Sequence, residues 1–105
     1  MTAETRPRVV KVYAPDLMDR SKIAAVCPGA EFVRSVADLD GATLAVVDLS
    51  RPGVLDALSG ITCETSVGFG AHVDRDLLHE ASIRGVQHVL TRREFFGRLE
   101  AIFAG

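Results

Sequence analysis

The chain has 105 residues, 48% of them hydrophobic and 25% charged, with a formal net charge of −2. That composition fits one soluble globular domain able to bury about two thirds of its unfolded surface, and it excludes strong attraction to nucleic acid or to an anionic membrane. No apolar run approaches the ~18 residues of a spanning helix and no secretory signal opens the sequence, so a cytoplasmic protein with Cys27 and Cys63 as reduced thiols is expected.

Residues 1–8 are polar and read as a short disordered tail, leaving residues 9–105 as the domain. Val9-Val-Lys-Val-Tyr13 is rich in β-branched residues and predicts a first strand. Pro15 suits the first position of a helix, and Asp16 and Asp19 favour the positive end of its dipole. Leu17, Ile23, Ala24 and Cys27 give that helix a modest apolar face, and Pro28-Gly29 stops it. A short second strand is expected over residues 31–35, followed by at most a stub of helix before Gly41.

Thr43-Leu-Ala-Val-Val-Asp48 is nearly continuous in apolar residues, which predicts a central strand covered on both faces. Ser50 and Pro52 then open a helix carrying Val54, Leu55 and Leu58. A fourth strand spans residues 65–70 and ends in glycines. Asp74 is placed to cap a helix with Leu77, Leu78, Ala81 and Ile83, closed by Gly85. A fifth strand follows over residues 86–90. Thr91-Arg-Arg-Glu94 has the spacing of a capping box, and the last helix carries Phe95, Phe96, Leu99, Ile102 and Phe103.

Strands alternating with helices imply parallel pairing and a three-layer α/β sandwich. Ligand crevices of such sheets lie at the carboxyl ends of the strands. Asp16, Asp48, Ser50, Gly70, His72, Asp74 and Arg92 all fall near those ends, so a pocket built from them is expected.

Two segments carry a resemblance. Asp48-Leu-Ser-Arg-Pro52 is similar to the phospho-acceptor aspartate, with a proline four residues on, of response-regulator receiver domains. Ala81-Ser-Ile-Arg-Gly85-Val86 resembles the helix of that family that ends in Gly-Ala before its fifth strand. The likeness spans roughly residues 8–104. It implies a flavodoxin-like, CheY-like (βα)5 domain with strand order 2-1-3-4-5, the second helix short or absent, and Asp48 as phospho-acceptor.

The departures from that pattern decide the expected function. Receivers hold Mg²⁺ with an acidic pair after strand one, where this chain has Ala14 and Pro15 and only Asp16 nearby. The hydroxyl that ends strand four is replaced by Gly70, the Lys-Pro after strand five by Arg92-Arg93, and the aromatic switch of strand five by Val89. Phosphoryl transfer to a carboxylate needs a metal to neutralise donor and acceptor oxygens. The expected function is therefore an atypical receiver that works by protein contact, without a resident cofactor and without catalysis.

A makeshift Mg²⁺ site at Asp48 and Asp16, with true phospho-acceptance, is the first alternative. A metal or small-molecule site on the loop Gly68–Asp74, using His72 and Asp74, is the second. The resemblance also nominates a protein partner or a second copy on the face built from the helix near residues 74–84, the fifth strand and the last helix. There Phe95 and Ile102 would form an apolar patch flanked by Arg93 and Arg98.

Overall fold

The computed structural model describes residues 8–104. Five strands, β1 (Val10–Tyr13), β2 (Glu31–Phe32), β3 (Leu44–Asp48), β4 (Thr65–Gly70) and β5 (His88–Thr91), alternate with helices α1 (Leu17–Val26), α2 (Val54–Leu58), α3 (Arg75–Ile83), α4 (Arg92–Gly97) and α5 (Leu99–Ala104). Every pairing is parallel and the strand order is β2-β1-β3-β4-β5, the flavodoxin-like layout expected from the sequence. All five residues of β3 are buried, which is why this strand reads as an unbroken apolar run. Among the described residues no helix is long and apolar enough to cross a membrane.

Alternation along the strands sends successive side chains to opposite faces and divides the core into two layers. In the first layer Val12, Val46 and Phe69 pack against Ile23 of α1, Phe95 of α4 and Phe103 of α5. Phe69 and Phe95 stack at 4.3 Å with 10° between planes, and Phe96 meets Phe95 edge-on at 4.9 Å. In the second layer Ala45, Val47 and Leu49 pack with Val36 and Leu39, Val54 of α2 and Ala81 of α3. Leu49 folds over β4 so closely that a Cβ on Gly68 would lie 2.9 Å from its side chain, which explains a glycine in mid-strand.

Several local expectations are corrected. The proposed tail lies outside the described residues except for Arg8, whose guanidinium donates to the Phe103 carbonyl at 2.6 Å. β2 is only two residues long, and the stub after it is a single 3-10 turn over Val36–Leu39. α2 does not start at Ser50 or Pro52. Its N-cap is Gly53, at φ 76°, because Ser50 turns back to Asp48 and the chain needs a left-handed residue to enter the helix. Asp74 stands at the N-cap of α3, but its side chain makes no capping bond.

The last helix is two short ones. It breaks at Arg98, whose φ of −128° and ψ of 23° leave the helical region just after Gly97. The capping box is present as expected: Thr91 accepts from the Glu94 amide, and the Glu94 carboxylate accepts from the Thr91 amide. Phe95 is not part of a surface patch. Its ring is fully buried against Phe69, while Ile102 is half-buried and Arg93 and Arg98 are exposed. Conversely Leu17 and Ile83, expected on inward faces, are 74% and 65% exposed.

Candidate functional site

β3 delivers Asp48 to the carboxyl rim of the sheet. Alternation puts it on the side of Leu44 and Val46, facing the layer of α1, α4 and α5. Asp48 is only 2% exposed. A buried carboxylate needs hydrogen-bond partners, and here the next residues supply them. Oδ1 accepts from the Ser50 amide at 2.9 Å and from the Ser50 hydroxyl at 2.6 Å, an Asx-type turn. Oδ2 lies 3.6 Å from Arg51 Nε.

A second buried acid stands close by. Asp19, on the first turn of α1, is 3% exposed and accepts from Arg92 Nη2 at 2.6 Å. The pair ties the start of α1 to the start of α4 across 73 residues of chain. The Arg92 guanidinium also lies 5.1 Å from the Phe96 ring centre and 5.5 Å from that of Phe69, within cation–π range. The hydrogen bond to Asp19 holds the Arg92 proton more tightly than usual, against a burial penalty, with further help from the charges of Asp19, Asp48 and Asp16. Arg92 thus sits among three carboxylates.

Asp16 is the third. It is exposed and caps α1, its Oδ1 accepting from the amides of Met18 at 2.9 Å and Asp19 at 3.0 Å. The bond from the Asp19 amide is the main reason its carboxyl stays charged to lower pH than usual. An oxygen committed to the helix end does not make a strong metal ligand. Among the described residues no group of three or more His, Cys, Asp or Glu side chains is arranged to hold a metal ion. Mg²⁺ binds through one or two carboxylates plus waters, and of the two acids expected to hold it Asp16 is exposed at the helix start whereas Asp48 is buried.

Of the residues expected in a rim pocket, Asp48 and Ser50 touch, and Arg92 and Asp16 stand near them. Gly70 is elsewhere. A side chain there would meet Leu78 Cδ2 at 3.2 Å, so its open side faces α3 in the second layer and not Asp48. His72 and Asp74 are exposed on the loop after β4, and their side chains enter no hydrogen bond or ion pair of the described residues. Asp19 is the residue that sequence reasoning missed as part of the rim. Its spacing of four from Ile23 is the signal, since it puts both on one helix face.

The chemical capacity of the rim follows. Every buried side-chain polar atom among the described residues has a hydrogen-bond partner. Asp48 is closed in by Ser50 on Oδ1 and Arg51 beside Oδ2, and the other arginine of the rim, Arg92, is engaged by Asp19. No family model matches the chain, and neither a curated protein nor a solved structure resembles it.

Proposed function

We propose that this chain is a receiver-like signalling module that acts through protein contact and does not use Mg²⁺-assisted phosphorylation. One observation carries the reading: the aspartate at the end of β3 is closed off by its own loop, with Ser50 on one oxygen and Arg51 beside the other. A carboxylate in that state lacks the exposure that an acyl-phosphate acceptor requires. The contact face assigned to it comprises α3, β5 and the α4–α5 pair, where Arg93 and Arg98 are exposed. Its work is assigned to the cytoplasm.

The test is incubation with a small phosphodonor and Mg²⁺, read by intact mass beside Asp48→Asn. The reading requires that neither protein gains a phosphoryl adduct. A phosphoryl adduct that disappears in Asp48→Asn would overturn it and establish phospho-acceptance instead. Sedimentation at increasing concentration reports whether a second copy occupies the proposed face.

A further inference from the structure

The break at Arg98 makes α5 a short helix of its own. α5 is one and a half turns long, and a cavity of about 310 Å³ opens between it and the amino-terminal halves of β3, β4 and β5. Leu44, Val67, Leu90 and Ile102 form its walls. Leu44 and Val67, 5% and 4% exposed, belong to its sheet side. Ala101 and Thr65 complete the mainly aliphatic part of its lining.

Two polar heads stand in the same lining, Arg98 and His88. Both are exposed, and neither joins an ion pair or side-chain hydrogen bond among the described residues. By contrast Arg84, beside another cavity, holds Glu80 and Asp56, and Arg51 faces Asp48. An aliphatic slot with an unpaired guanidinium in its wall is complementary to a ligand with an aliphatic tail and one negative charge. Pockets of this size, at the lower end of the range for small-molecule sites, take a small ligand and fix it with few polar groups.

We propose that this cavity binds a medium-chain aliphatic carboxylate, its tail against Leu44, Val67, Leu90 and Ile102 and its head on Arg98 and His88. The site lies at the opposite end of the strands from Asp48, and nothing in it depends on the receiver reading. Carboxylate on guanidinium gives charge-assisted hydrogen bonds, which are stronger than neutral ones and set the polarity of the bound molecule. The tail contributes affinity by leaving water.

The experiment is titration of decanoate into the full chain below its micelle concentration, followed by amide NMR shifts and by the thermal midpoint. Binding is expected to raise the midpoint by ~5 °C near saturation and to shift amides of Val67, Leu90 and Ile102. Decanol and decylamine, with the same tail, should bind more weakly by on the order of 10-fold or more. Arg98→Gln should cost decanoate a similar factor and leave decanol unchanged. Ala101→Phe, which narrows the cavity from an exposed position, should weaken both. Absence of binding, equal binding of all three amphiphiles, or decanoate affinity indifferent to Arg98→Gln would each overturn the assignment. Because Arg98 is exposed and unpaired, that variant tests the site without loss of the fold.

Discussion

The two ends of the sheet contrast in how they use charge. At the carboxyl end, three acids stand with two arginines, and the two acids that are buried, Asp19 and Asp48, are each held by a hydrogen-bond donor. At the amino end, Arg98 and His88 border a mainly aliphatic cavity and join no ion pair among the described residues. Topology favours the carboxyl end for chemistry, yet there the polar groups are consumed in holding the fold. The difference teaches that position in a fold nominates a site, whereas the state of its hydrogen bonds decides whether anything is left to react.

The largest effect expected on this contrast comes from Phe69→Ala. It removes the ring that stacks on Phe95 and underlies Arg92, and should cost ~3–5 kcal/mol in denaturant unfolding. Arg92→Ala comes next. It strands a buried Asp19, but Arg92 is 41% exposed and water can enter, so about 1–3 kcal/mol is expected and not the full cost of a dry pair. Asp19→Leu combined with Arg92→Met should recover most of that loss. If the double variant stays as unstable as the single one, the pair is not what joins α1 to α4.

Ser50→Ala takes one donor from Asp48 and should cost ~1–2 kcal/mol. It also sharpens the functional reading: the backbone amide of residue 50 still holds that oxygen, and phosphoryl uptake gained on loss of the hydroxyl alone would make Ser50 the lock. Acid titration gives a gentler test. The Asp16 carboxyl is depressed chiefly by the Asp19 amide, and that of Glu94 chiefly by the Thr91 amide. Each therefore adds stability that is complete above the ordinary carboxyl value of about 4 and is lost as pH falls through the lower folded value. Asp16→Asn, which keeps a capping oxygen but cannot titrate, should show a shallower acid slope in thermal midpoint against pH. The smallest change is expected at the amino end, where Arg98→Gln should alter stability by less than ~0.5 kcal/mol.

Much of the fold was legible in the residues themselves. The unbroken apolar run before Asp48 fixes the central strand, and the alternation of strand and helix signals leads to a parallel sheet. What could not be read locally depended on partners far away. α1 presents Asp19 to the core in line with Ile23, leaving Leu17 and Met18 outside. An acid on an inward face is acceptable only because Arg92 arrives from the other end of the chain, and no local pattern reports that. The break in the last helix had one sign, Gly97, a residue of low helical propensity. Reading one continuous helix placed Phe95 on the surface, whereas the broken one turns it onto Phe69. Gly70 was assigned to the rim by its place in the chain, and only strand alternation shows that its open side lies on the far face.

The burial of β3 has a consequence for how the domain moves. Its backbone is bonded on both edges, to β1 and to β4, and both of its faces are covered. Amide hydrogens along Leu44–Val47 should therefore exchange with deuterium only when the whole molecule opens. Asp48 is anchored at the tip of the slowest-breathing segment of the protein, so any partner that reads this end meets a surface already set in shape.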